Sequence, residues 1–308
     1  MKRAWFIPIL LALISSTQLF AEMIDGELTI DNTKRTFHFY SPDNLPADKT
    51  YPLVIVLHGG KGMGQNMVRF TKFDDLADRD SFLVVYPDGW KRQWNDHRTG
   101  EDLPFEKDDV KFLSSLIDYL VQKHHADSTR VFVTGISNGA IMSLFLVQEI
   151  PQKIRAIAAV CGSIPENYFS TYHISKPISV LMINGTQDPL IHYEGGPVGK
   201  SGWERGATTS VDSAVQKILA INQCSKRDSV FRFPDINIKD DCTAEKMIWK
   251  CGENNVEFIK IKGGGHTWPG GLQYLPKYMI GTVCKDFNAT SEIWNFFSSQ
   301  IIRSELKQ

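Results

Sequence analysis

Val131-Phe132-Val133-Thr134-Gly135-Ile136-Ser137-Asn138-Gly139-Ala140 is the stretch from which the fold can be read. A β-branched and aromatic run stops at Gly135, and Ser137 stands between two glycines. The apolar spacing of a helix then begins at once in Ala140-Ile141-Met142-Ser143-Leu144-Phe145-Leu146. Strand, sharp turn and helix follow one another without a spare residue. A serine on such a turn is held in a strained backbone conformation that lifts its hydroxyl above the sheet edge, and glycines on both sides let neighbouring backbone pass close. Ser137 is therefore the candidate nucleophile.

On either side of this turn the chain alternates strands with helices. Leu53 to Leu57 is apolar at every residue, as are most of Phe82 to Tyr86, Ala156 to Cys161 and Ile178 to Ile183, which is the pattern of strands covered on both faces. Asp108-Asp109 cap a helix from Val110 to Lys123, where Phe112, Leu113, Leu116, Ile117 and Leu120 share one face. A helix from Ala207 to Ile221, a strand from Val256 to Ile261 and a closing helix from Ser291 to Ile301 complete the series. Before it, Glu27 to Ile30 and Thr36 to Tyr40 alternate about Asp31-Asn32 as a hairpin. The spacing predicts an α/β domain with a mostly parallel central sheet flanked by helices, and residues 22–308 form one domain.

Residues 1–21 carry a different pattern. Lys2 and Arg3 precede an apolar run from Ala4 to Ile14, and Ala21 stands before Glu22, the layout of a secretory signal peptide cleaved after Ala21. The run is short for a membrane span and is interrupted by Pro8, although an uncleaved anchor is the rival reading. A formal net charge of -1, with acids and bases interspersed, offers no surface for nucleic acid or a polyanionic partner. No repeat, Ser/Thr/Pro-rich linker or low-complexity tail is present. Five cysteines, Cys161, Cys224, Cys242, Cys251 and Cys284, enter an oxidising compartment if the leader is used, and their pairing is open at this point. They do not form the paired clusters of a zinc site, and Cys161 lies in an apolar run as a buried thiol.

In a sheet of this kind the chemistry gathers beyond the carboxyl ends of the strands. The run ending at Ile183 leads to Asn184-Gly185-Thr186-Gln187-Asp188-Pro189, and the run ending at Ile261 leads to Gly263-Gly264-Gly265-His266-Thr267-Trp268-Pro269-Gly270. Ser137, Asp188 and His266 then stand in the chain order of an α/β-hydrolase. A serine hydroxyl needs an imidazole to take its proton, and the imidazole needs a carboxylate to fix its tautomer. The amides of Asn138 and of Gly60, in His58-Gly59-Gly60, are the expected oxyanion donors. Among rivals, Glu194, Asp212 and Asp235 follow no buried strand, and His192 shares the loop of Asp188. His58 reads as a structural histidine beneath the oxyanion loop, and Asp88 and Asp108 as turn and cap residues. Trp90, Trp94 and Trp268 are aromatic candidates for a substrate cleft, with Trp268 favoured by its place two residues from His266.

Several stretches together carry a family resemblance: Leu57-His58-Gly59-Gly60, Tyr86-Pro87-Asp88-Gly89 with Trp94-Asn95-Asp96, Asp108-Asp109-Val110, Arg130 to Ala140, Asn184 to Pro189 and Gly264 to Gly270. With them the chain resembles the polyhydroxybutyrate depolymerase and feruloyl esterase group of secreted serine esterases, within the α/β-hydrolases. The resemblance implies a hydrolase that cleaves carboxylic esters through an acyl-enzyme, with Ser137, Asp188 and His266 as its triad. It also implies a disulfide between Cys224 and Cys251. Cys242 and Cys284 are extra to that pattern and could pair with each other or compete for the bridge. The long charged segment Ser225 to Lys246 departs from it too, as a loop able to shape the cleft. Members that attack solid polyester carry a linker and a surface-binding domain, which this sequence lacks. Small or oligomeric esters are thus the expected substrates: soluble polyhydroxyalkanoate oligomers, or feruloyl or acetyl esters of polysaccharides. Such a triad needs no metal or organic cofactor. An acyltransferase or peptidase with the same triad, or a non-catalytic binding protein on the same scaffold, are the alternative functions.

Overall fold

The structure is a computed structural model and describes residues 23–43, 45–99, 106–199 and 205–305, with the side chains of 302–305 set aside. The expected leader, residues 1–21, lies outside the described residues. Among those that are described, no helix is long and apolar enough to cross a membrane.

The chain opens with β1 (Met23–Ile30) and β2 (Thr33–Tyr40), an antiparallel hairpin. Asp31 and Asn32 both take positive φ, 47° and 56°, which a two-residue turn matching the strand twist requires. Then come β3 (Tyr51–Leu57), α1 (Gly64–Thr71), α2 (Phe73–Asp80) and β4 (Leu83–Pro87). They are followed by α3 (Asp109–Lys123), β5 (Ala126–Ile136), α4 (Asn138–Glu149), β6 (Ala156–Val160) and the short α5 (Glu166–Phe169). After β7 (Ser179–Gly185) the two-residue strands β8 (Gly196–Pro197) and β9 (Ala207–Thr208) pair with each other. The rest is α6 (Val211–Ile221), β10 (Ser229–Arg232), β11 (Thr243–Cys251), β12 (Asn254–Lys262), α7 (Lys277–Ile280) and α8 (Ala289–Glu305).

Ten strands form one sheet in the order β1-β2-β4-β3-β5-β6-β7-β12-β11-β10. The central run from β4 to β12 is parallel, with antiparallel strands at both ends. Alternate residues of those strands enter two separate cores. Leu53, Ile55, Val131, Val133, Ile157 and Val180 pack with α3, α4 and α6 on one face. Val54, Val56, Phe132, Ala158, Leu181 and Ile259 pack with α1, α2 and α8 on the other. A strand with both faces covered has no polar position to show, and this is why the central runs read as continuous apolar stretches.

Two expectations give way. The helix placed from Ala207 begins at Val211, because Ser210 caps it by accepting from Ser213 N–H at 3.2 Å, leaving Ala207–Thr208 to a strand. The charged segment Ser225 to Lys246 is not one loop but contains β10 and the start of β11. Of its charges, Lys246 lies 2.7 Å from Glu292 on α8 and 3.9 Å from Glu257 on β12. The Cys224–Cys251 disulfide ties the chain just beyond α6 to the end of β11.

Candidate active site

Three of the six parallel strands deliver the three candidate residues to the same sheet edge. Ser137 follows β5, Asp188 lies beyond β7, and His266 lies beyond β12. Because β5, β6, β7 and β12 are successive neighbours, these turns stand side by side, with Cys161 after β6 among them.

Ser137 has φ 59° and ψ -121°, a region that costs a residue with a side chain about 1–3 kcal/mol. Its N–H donates to Val160 O at 2.9 Å, and its carbonyl accepts from Ile141 N–H at 3.0 Å to start α4. The flanking glycines are required by close approach. A Cβ on Gly135 would meet the Gly139 backbone at 2.6 Å, and one on Gly139 would lie 2.5 Å from Leu57 O. The strand, the turn and the end of β3 are thereby pressed together, and a Cβ on Gly59 would sit 3.4 Å from Ser137 Cβ.

The first residue of α4 is Asn138, whose N–H is one of those a helix leaves without an internal partner. Its side chain is locked: Oδ1 accepts from Trp94 N–H at 2.8 Å, and Nδ2 donates to Asp96 Oδ2 at 2.7 Å and Trp94 O at 3.0 Å. Asp96 in turn accepts from Arg98 Nε at 2.9 Å, an ion pair buried on both sides. Gly60 lies against this residue, since its Cβ position would be 3.8 Å from Asn138 Cβ. Beneath the Gly59-Gly60 loop, His58 Nε2 accepts from Gly89 N–H at 2.9 Å. Its proton therefore resides on Nδ1, which donates to Gly59 O at 2.8 Å. Burial lowers the His58 pKa and keeps the ring neutral, in keeping with a structural role.

Asp188 and His266 are buried and joined by a 2.7 Å hydrogen bond between Oδ2 and Nδ1. A carboxylate only accepts, so Nδ1 carries a proton and Nε2 is the ring nitrogen not committed to Asp188. The other carboxylate oxygen, Oδ1, is held by the N–H groups of Leu190 and Ile191 at 2.8 and 2.9 Å. The two loops meet because Gly185 has no side chain: a Cβ there would lie 2.2 Å from Gly264 O. His266 is fixed by its N–H to Ile280 O at 2.6 Å and by Tyr274 Oη, which donates to its carbonyl at 3.1 Å. The rival His192 is exposed.

The expectation that Trp94 and Trp268 line the cleft is corrected by their burial, 0% and 1% exposed. Trp94 Nε1 donates to His58 O at 2.9 Å and its ring packs on the His58 imidazole, so it supports the His58-Gly59-Gly60 loop. Trp268 Nε1 donates to Thr290 Oγ1 at 3.0 Å, turning the indole into the core against α8. The aromatic that stays partly exposed beside His266 is Tyr274, packed edge-on against Phe70.

Sequence reading missed a second layer under the site. Arg35 and Asp109 form a buried ion pair, and Asp109 Oδ2 accepts from Asn95 N–H at 2.7 Å, steadying the loop that holds Asn138. Burial still raises the Asp109 pKa against the pull of Arg35. A side chain reaching across the sheet leaves no local pattern, and only the Trp94-Asn95-Asp96 motif hinted at this loop. Two groups have metal-ligand spacing among the described residues: Cys161 with Asp188 and His266, and Asp240 with Cys242 and Cys284. In the first the carboxylate and imidazole are committed to each other, and in the second Asp240 already accepts from Cys242 and Lys285 N–H. Cys242 and Cys284 are unbridged and buried.

Comparison with known proteins adds the family. The family described as Esterase PHB depolymerase matches residues 36–192, half of the chain, including Ser137 and Asp188. The protein is a member of that family. It is a carboxylic ester hydrolase on an α/β-hydrolase fold. The "Putative esterase NocK" of Nocardia uniformis subsp. tsuyamanensis is 27% identical over 83% of this chain and 77% of its own length. The bifunctional acetylxylan esterase/xylanase XynS20E of Neocallimastix patriciarum is 28% identical over 76% of this chain, which spans only 31% of that relative. Among solved structures, the acetyl xylan esterase from Aspergillus awamori superposes with a TM-score of 0.56 at 16% identity, over 79% of this chain and 94% of that one, a likeness of fold.

Proposed function

We propose that the protein is a secreted serine esterase that cleaves small or oligomeric carboxylic esters through an acyl-enzyme. The leader of residues 1–21 directs export, and residues 22–308 form the single mature domain. Ser137 Oγ attacks the ester carbonyl, and His266 Nε2 takes its proton and later returns it to the leaving alcohol. Asp188 holds the imidazole in the tautomer this requires, and the amides of Gly60 and Asn138 receive the oxyanion. The observation that carries the proposal is the buried 2.7 Å bond from His266 Nδ1 to Asp188 Oδ2, on the sheet edge where the strained Ser137 turn also stands. The family match ends at residue 192, so His266 rests on this geometry.

The substrate class is taken from the family and from relatives named as acetylxylan and feruloyl esterases. Soluble polyhydroxyalkanoate oligomers and feruloyl or acetyl esters of polysaccharides are the proposed substrates. The test is hydrolysis of short p-nitrophenyl esters, methyl ferulate, acetylated xylan and hydroxybutyrate oligomers by the purified chain, each beside Ser137→Ala. Activity on one class that disappears in the variant supports the mechanism and names the class; undiminished activity in Ser137→Ala refutes it.

A further inference from the structure

The geometry points to Cys161 as a positioning residue for the His266–Asp188 pair, its thiol holding the two peptide carbonyls that flank His266. The inference rests on the triad proposed above. A buried cysteine is ordinarily inert filling. This one is placed where all three loops meet. Its Sγ donates to Thr267 O at 3.3 Å with Gly265 O at 3.7 Å, the residues on either side of His266. Its own N–H donates to Ile183 O at 2.8 Å, on the strand that leads to Asp188. The residue before it, Val160, accepts the Ser137 N–H at 2.9 Å. Sγ, an Asp188 carboxylate oxygen and a His266 ring nitrogen all lie within 4.8 Å of one another.

To reach this place the backbone takes φ 52°, a left-handed value uncommon for a residue with a side chain. The side chain is 2% exposed, so water does not replace it as a partner for the two carbonyls. Burial and the nearby Asp188 carboxylate push the thiol far above its ordinary range, which keeps it protonated and a donor. Tyr274 Oη donates at 3.1 Å to the His266 carbonyl, which lies between those two in the chain. The backbone that carries the imidazole is thus held by the Cys161 thiol and the Tyr274 hydroxyl, and small errors in its placement are amplified in rate.

The experiment compares wild type with Cys161→Ala, Cys161→Val and Cys161→Ser in p-nitrophenyl acetate hydrolysis across pH, with thermal unfolding and Ser137→Ala run alongside. Alanine and valine remove the donor, valine while keeping the volume, and serine restores a donor. The expected result is a kcat lowered about 10- to 100-fold in the alanine and valine variants with KM held within about twofold, a displaced kcat/KM–pH profile, and recovery of most of the loss by serine. Wild-type kcat and pH profile in Cys161→Ala, or serine no better than alanine, would overturn the inference. Valine, being β-branched, is strained at φ 52°, so the deciding comparison is serine against alanine, with thermal unfolding separating lost fold from lost rate. If Ser137→Ala is inactive while Cys161→Ala matches wild type, the triad stands and only the Cys161 role falls. If Ser137→Ala retains hydrolysis, both fall.

Discussion

Replacing Gly139 by alanine asks how closely the Ser137 turn is held. The added methyl would lie 2.5 Å from Leu57 O, 2.6 Å from His58 O and 2.8 Å from Leu57 C, where ordinary contact begins at 3.4 Å. All three atoms are main chain at the end of β3, which is buried throughout and paired to β4 and β5, so they cannot swing aside. The start of α4 must retreat instead, by about 0.9 Å, drawing Ser137 and Asn138 away from Gly60. Overpacking of this kind costs about 1–3 kcal/mol of stability, which lowers Tm by roughly 2–12 °C in a protein of this size. A displacement near 1 Å costs on the order of 100-fold in rate, or about 2.7 kcal/mol of transition-state stabilisation. The assay is kcat/KM for a soluble ester together with thermal unfolding. Gly252→Ala serves as control, because its φ of 63° makes alanine strained while nothing lies within 4 Å of the new methyl. The control loses stability and keeps its rate. Wild-type kcat/KM in Gly139→Ala would refute the claim that this contact sets the position of the serine.

Asp188→Asn keeps the shape but lets the His266 tautomer reverse, and kcat for ester hydrolysis is expected to fall about 10³- to 10⁴-fold with little change in Tm; a fall under tenfold would remove Asp188 from the mechanism. Burial would raise the Asp88 pKa, but the His38 imidazole 3.6 Å away and hydrogen bonds from the Gly64 N–H and Thr36 Oγ1 prevail and hold it at about 2, below the usual 3.8. A depressed carboxylate stabilises the fold fully above pH about 4 and loses this contribution as pH falls towards 2. In urea unfolding Asp88→Asn is therefore less stable than wild type at neutral pH, with the gap closing between pH about 4 and 2; a gap independent of pH contradicts it. The double change Cys224→Ala with Cys251→Ala opens a loop of sequence separation 27 and is expected to cost about 3.5 kcal/mol in unfolding free energy, with kcat retained once folded.

What could be read without coordinates was whatever leaves a local mark. The Ser137 turn is legible because strand, glycines and helix follow in one short stretch, and the sheet because covered strands lack polar positions. Asp188 and His266 followed from a rule about strand ends, and their mutual bond could not be seen from residues 78 apart. The tryptophans failed for a different reason: residue type announces a large ring but not its direction, and both rings turned inward where backbone and Thr290 offered acceptors. Charge misled at Ser225 to Lys246, since Lys246 finds its acids on β12 and α8. Arg35 and Asp109, 74 residues apart, leave no periodic trace at all.

β7 and β12 are hydrogen-bonded neighbours, Val180 facing Val256, although the chain makes a long excursion between them. Asp188 and His266 are therefore carried by adjacent strands, with β11 and β10 continuing the sheet beyond β12 and α6 packed in the core, while the two-residue strands β8 and β9 pair only with each other. Residues can be added or removed in the connections between the elements of that excursion without altering the short runs from Ile183 to Asp188 and from Ile261 to His266. The fold in this way separates the short runs that must keep their length from the connections that can vary, and diversification of the surface has a route that leaves the Asp188–His266 bond untouched.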